Sequence, residues 1–250
     1  MNQLFILTGA SRGMGFAMAT QLLQAGHAVT CISRHTNAEL TETARLHNAT
    51  LLQWALDLTE SALAAAHLSN WINELNPAKY SSISLINNAA MLTKIAPLSD
   101  VDSSDIEISM RVGLEAPMQL TAAFLRATAT WAMPRKVLNI SSGLGSRPMA
   151  SQAAYCATKA GLDHFSRCVA LDEALKANGA KICSVAPGVI ATDMQVQLRA
   201  ADPALFPDIA MFTGLYENGI LAAPTAAAAS VLAFLARADF GSKPVADIRD

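Results

Sequence analysis

Charge is scarce in this chain: 15% of its 250 residues are Asp, Glu, Lys or Arg, and the formal net charge is -2. The 18 basic and 20 acidic residues are scattered. No block of one sign exists to attract nucleic acid or anionic lipid. Aromatic residues are also few, at 6%, and Trp54, Trp71 and Trp131 lie too far apart in sequence to read as a stacking platform. The four cysteines, Cys31, Cys156, Cys168 and Cys183, form no CxxC pair. They read as reduced thiols rather than a disulfide framework. His27, His35, His47, His67 and His164 show neither HxxxH spacing nor a carboxylate cluster, so no metal site is expected. No apolar run approaches the roughly 20 residues that cross a bilayer. The apolar stretch at the N-terminus is short and has no basic region before it, unlike an export signal. These absences lead to the expectation of a cytoplasmic protein without nucleic-acid or membrane partners.

What the chain has is apolar residues, 52% of the total, enough to bury a large core. Short aliphatic runs at 5–7, 28–32, 51–56, 83–86, 137–140 and 182–185 read as strands covered on both faces. Between them, segments at 13–25, 60–75, 106–130 and 152–177 carry helical spacing, as does the alanine-rich stretch at 222–236. This alternation predicts a doubly wound α/β domain over 1–250, a Rossmann-type parallel sheet flanked by helices on both faces. From Pro187 to Pro224 the pattern breaks at Pro203, Pro207, Gly214 and Gly219. A long irregular segment at that place suggests a substrate lid, over 188–221.

Gly9, Ser11, Arg12, Gly13, Met14 and Gly15 lie in a glycine-rich turn between the first strand and the first helix. Such a turn lets a pyrophosphate approach the backbone and presents the helix N-terminus to it. The spacing GxxxGxG differs from the commoner GxGxxG. At the end of the second strand stand Ser33 and Arg34, with no carboxylate to bond a ribose 2′-OH. With Arg12, that suits a 2′-phosphate, so NADPH/NADP+ is favoured over NADH.

Tyr155 and Lys159 are four residues apart on a helical segment, and so share one face. An ammonium and an oxidised nicotinamide nearby would lower the phenol pKa, and Tyr155 would then serve as general acid to a carbonyl oxygen receiving hydride. Ser142, ending the fifth strand, is placed to polarise that carbonyl.

Together these pieces resemble the short-chain dehydrogenase/reductase superfamily over nearly the whole chain. The resemblance rests on residues 8–15, Asp57, the run Asn87-Asn88-Ala89-Ala90, Asn139-Ile140-Ser141-Ser142, residues 155–159 and Pro187-Gly188, all in the family's order. The Ser142-to-Tyr155 interval is the family's own, which selects Ser142 over Ser141. The resemblance implies that Asp57 contacts the adenine and that Asn87 and Ala89 line the cofactor. It also implies that Pro187 and Gly188 shape the nicotinamide pocket, that Thr192 meets the carboxamide or phosphate, and that Lys159 holds the nicotinamide ribose. Gly113 stands where the family has an asparagine serving a water relay to the lysine, and Ala90 replaces a glycine. The likeness is strongest to sepiapterin reductases and bacterial benzil reductases, and by that likeness Asp247 is a substrate anchor. The resemblance further implies a homodimer or homotetramer. The activity expected is NADPH-dependent reduction of a small-molecule ketone or aldehyde, such as a diketone or pterin side chain. Two alternatives stay open: an NADP-dependent alcohol dehydrogenase and a non-catalytic NADP-binding regulator on the same fold.

Overall fold

In the computed structural model, which describes residues 2–249, seven parallel strands form one sheet in the order β3-β2-β1-β4-β5-β6-β7. They are β1 (Leu4–Thr8), β2 (Ala28–Ser33), β3 (Leu51–Ala55), β4 (Ile83–Asn87), β5 (Arg135–Ile140), β6 (Lys181–Ala186) and β7 (Val245–Asp247). Chain order reverses direction across β1 and β4, whose register pairs Leu4 with Ile83 and Leu7 with Ile86. In parallel sheets the carboxyl ends of two such strands diverge into a crevice, the usual ligand position.

The period of a strand divides the aliphatic runs between two cores. Phe5 and Leu7 join one cluster with Val29, Cys31 and Val185, covered by α1 (Gly13–Gln24), α2 (Ala38–Leu46) and α9 (Pro224–Ala236). Leu4 and Ile6 join the other with Ile83, Leu85 and Ile182, covered by α3 (Ser61–Glu74) and α5 (Ala116–Ala127). Val169 and Ala170 of α6 (Ala153–Ala174) pack on this second cluster. Central strands are therefore apolar throughout, whereas β3 at the edge is only partly covered.

The structure departs from the sequence expectation in four places, one being β7, a three-residue strand that no aliphatic run had marked. The segment expected as one helix over 106–130 is α4 (Ser103–Met110) and α5 joined by a π-helical turn at Arg111–Glu115. Residues 38–46, given no element from the sequence, form α2, capped by the Asn37 side chain accepting from Glu39 N at 2.8 Å. Its buried residues are only Leu40 and Ala44, too few to give a clear apolar period. The supposedly irregular segment folds into α7 (Asp193–Arg199) and α8 (Ile209–Glu217). Leu198, Phe206 and Phe212 of that segment close a third small core against Leu92 and Met149. These helices are short, and their apolar residues meet only through tertiary packing, so periodicity does not reveal them.

Candidate active site

A crevice of about 1410 Å³ opens at the carboxyl ends of the strands, with the glycine turn at one end and α7 and α8 along one wall. Gly9 adopts φ +71° and Gly13 φ +59°, left-handed values that favour glycine. A Cβ on Gly15 would sit 2.1 Å from the Gly9 carbonyl oxygen, so α1 can start this close to the turn only with glycine there. The first turn of α1 has no side-chain cap and no acidic residue. Its N–H groups are therefore open to an anion, as a dinucleotide pyrophosphate requires. The turn is held from both sides. Ala10 N donates to Ser33 Oγ at 2.9 Å, and Asn88 N and Ala89 N donate to Thr8 Oγ1, each at 2.9 Å.

Beyond the ends of β2 and β3, Arg34 lies near enough to Asp57 to help lower its carboxyl pKa, though the larger cause is the hydrogen bond from Thr59 N. Arg12 instead reaches across the crevice to Asp193 at the start of α7, at 3.0 Å, with both side chains largely exposed.

Ser142, Tyr155 and Lys159 meet at the floor of the crevice. Ser142 lies two residues past the end of β5, where it caps a short 3-10 turn and accepts from Leu144 N at 3.2 Å. Tyr155 and Lys159 stand one turn apart on α6, with Lys159 Nζ 5.6 Å from the phenol ring centroid. Lys159 is fully buried and donates to the Ile140 carbonyl at 2.8 Å. Burial lowers its pKa to about 8, with the Asp163 carboxylate opposing that fall. Burial likewise pushes the Tyr155 phenol up to about 12, and the neighbouring Ser142 hydroxyl draws it partly back. At neutral pH the phenol keeps its proton, the form a proton donor needs.

Gly9, Ser11, Arg12, Gly13, Met14, Gly15, Ser33, Arg34, Asp57, Ala89, Pro187, Gly188 and Thr192 all line the same crevice. Asn87 does not. It is 2% exposed and donates to Asn139 Oδ1 at 2.8 Å and Thr121 Oγ1 at 3.2 Å, inside the core. Its place on the wall is taken by Asn88, Ala89 and Ala90. Asp247 reaches the crevice, but its carboxylate is already gripped by Arg249, with bonds of 2.7 and 2.6 Å. That leaves it poorly placed to anchor a substrate. Gly113 lies in the π-helical turn, where a Cβ would come within 3.1 Å of the Thr158 side chain. The branched threonine thus fills the space that a larger residue at 113 would need. Gln195 and Arg199, which the sequence placed in the lid segment 188–221 without singling them out for a role, also line the crevice from α7. Among the described residues no cluster of His, Cys, Asp and Glu could hold a metal, and no helix is long and apolar enough to cross a membrane.

A profile of the short chain dehydrogenase family matches residues 3–203. The chain belongs to the short-chain dehydrogenases. Among its relatives in this family is a benzil reductase ((S)-benzoin forming) of Bacillus cereus, 37% identical over 94% of both chains. A sepiapterin reductase of Xenopus tropicalis is 32% identical, over 81% of this chain and 80% of its own. In fold it matches a 3-oxoacyl-[acyl-carrier protein] reductase of Brucella melitensis in complex with NAD. The TM-score is 0.82 at 21% identity, over 99% of this chain and 96% of that one. It also matches a putative 2-deoxy-d-gluconate 3-dehydrogenase of Agrobacterium tumefaciens with bound NADP, at TM-score 0.79 and 24% identity over 98% and 94%. Membership makes this dehydrogenase an oxidoreductase of CH–OH and C=O groups that uses a nicotinamide cofactor.

Proposed function

We propose that this chain is an NADPH-dependent reductase of a small ketone or aldehyde. The observation that carries the reading is the meeting of the Ser142 and Tyr155 hydroxyls above the buried ammonium of Lys159. When bound, the reduced nicotinamide supplies a hydride. The Ser142 hydroxyl orients the substrate carbonyl, and Tyr155 gives up its phenolic proton to the carbonyl oxygen. The Lys159 ammonium, held by the Ile140 carbonyl, stabilises the negative charge left on the phenol oxygen. The glycine turn and the uncapped start of α1 receive the pyrophosphate, while Pro187, Gly188 and Thr192 border the nicotinamide end. Residues 188–221 act as the lid.

Preference for the phosphorylated cofactor is supported by Arg34 at the end of β2 and the lack of a carboxylate there. A guanidinium matches a 2′-phosphate through paired charge-assisted bonds. The 37% identity to a benzil reductase supports reduction as the direction. Tyr155→Phe removes the proton donor and keeps the ring. The expected outcome is loss of carbonyl-dependent NADPH oxidation by about a hundredfold or more, with NADPH binding, followed by its fluorescence, retained. A Tyr155→Phe protein that still turned over at the wild-type rate would sink the assignment.

A further inference from the structure

Two polar atoms on α7 are buried without hydrogen-bond partners, and both belong to residues that line the crevice. Gln195 is 8% exposed and its Oε1 accepts from nothing; Arg199 Nη1, four residues on, donates to nothing. Leaving a buried guanidinium N–H unmet is costly, because arginine does not escape by losing its proton. Here the group is held in place: its central carbon stacks over the Tyr216 ring at 4.3 Å from the centroid. That stacking fixes the guanidinium plane while Nη1, buried in the wall, is left without an acceptor.

The position of this pair along the crevice is set by α7 itself. The helix begins beside the glycine turn, pinned by the ion pair of Asp193 with Arg12. Six residues later, about 9 Å further along the helix axis, Arg199 follows Leu198, which packs with Phe206, Phe212 and Met149. Of the carboxylates bordering the crevice, Asp193 is held by Arg12 and Asp247 by Arg249, and Asp57 lies at the opposite corner beside Arg34. Arg147, just past Ser142, is exposed and has no carboxylate within ion-pair distance among the described residues. The substrate end therefore presents cations and no unpaired anion.

We propose that Arg199, seconded by Gln195, is a specificity site that takes a carboxylate borne by the carbonyl substrate, so that the substrates are oxo acids. This rests on the carbonyl-reductase reading above. A carboxylate oxygen accepts from Arg199 Nη1. Half a turn of the Gln195 amide exchanges its oxygen for the NH2 group, which then donates to the second oxygen. Both orphaned positions are satisfied by one ligand group.

The test uses the full chain with NADPH and three carbonyl compounds: phenylglyoxylate, its neutral methyl ester, and 1-phenyl-1,2-propanedione. The wild type is expected to favour phenylglyoxylate over the ester in kcat/KM. Arg199→Met lowers that ratio by about ten- to a hundredfold, the effect of one lost charged hydrogen bond. Arg199→Lys restores part of it, and Gln195→Leu shifts it less in the same direction. Benzoate, which has no reducible ketone, inhibits the wild type and inhibits Arg199→Met much less. A ratio unchanged in Arg199→Met overturns the proposal. So does a pair that merely completes its own bonding, in which both variants lower the melting temperature without moving the ratio. If none of the three compounds is reduced although NADPH binds, the reductase reading itself falls, and the two failures are thereby told apart.

Discussion

At the scale of single residues, the arrangement around Lys159 makes a prediction about pH. Burial lowers its pKa to about 8 and the Asp163 carboxylate raises it against that trend. Asp163 is itself buried and accepts from Ser184 Oγ at 2.7 Å, so its side chain is held in place one turn beyond the lysine. Tyr155 keeps its proton until about 12. The ammonium, not the phenol, is therefore the first group lost as pH rises, and the rate of reduction is expected to fall near pH 8. Removing a negative charge disfavours the ammonium, so Asp163→Asn moves this alkaline limb to lower pH. Asparagine can still accept from Ser184, which keeps the packing. The check is kcat against pH for both proteins. A limb that stays put or moves upward in Asp163→Asn shows that Lys159 is not the titrating group. These residues differ in how far the sequence exposes them. Tyr155 and Lys159 are legible because one helical turn brings them together. Asp163 was not, because its link to Ser184 depends on how α6 lies over β6. Asn87 was misplaced for a related reason: a motif fixes a residue's address in the chain but not which way its side chain turns.

At the scale of elements, the joint between α4 and α5 is where sequence reading ran out. Apolar spacing predicts a continuous helix and carries no mark of a π-helical turn, which appears only as one extra residue in the hydrogen-bond ladder. Gly113 within it faces Thr158 of α6, and that side chain also donates to the Tyr155 carbonyl at 2.8 Å. The glycine and the threonine therefore form one steric unit, packing the kinked helix directly against the helix that carries Tyr155. Gly113→Asn is expected to cost about 1–3 kcal/mol by overpacking. Thr158→Ala opens the space, so the double variant should lose less than the sum of the single losses, as contacting residues do. Denaturant melts of the four proteins measure the coupling, and strict additivity would show that residues 113 and 158 do not compete for the same space. Six of the seven strands, by contrast, were legible to within about two residues because the central ones are buried on both faces, whereas the short, half-buried β7 was not. Their aliphatic runs state that burial directly. The helices α7 and α8 were hidden because their apolar residues face a small local core rather than the sheet, and Gln195 and Arg199 were hidden with them.

At the scale of the whole molecule, one face of the fold is more apolar than a lone domain needs. On α6 and its cap, Leu171 is 71% exposed and Leu175 89%, and on α5 Met118 is 41% exposed. Met118 continues the stripe of Leu114, four residues before it, which already packs against Gly161 of α6, where a Cβ would come within 3.0 Å. Both helices thus carry large apolar side chains that are exposed to solvent. Exposed leucines in sequence with an already packed helix pair are the kind of surface that marks an interface. A second copy is the simplest occupant, because a two-fold pairing sets the same edge against itself. Light scattering is expected to give twice or four times the 26.3 kDa of one chain. Leu171→Glu with Leu175→Glu places charges on that edge and should shift the mass toward one chain. Those positions lie more than a full turn of α6 beyond Lys159, so a dimer through this face leaves the floor of each crevice built from its own chain. Dissociation should accordingly leave NADPH binding in place. A wild-type protein that scatters as a single chain at every concentration would mean that these leucines are surface residues and nothing more.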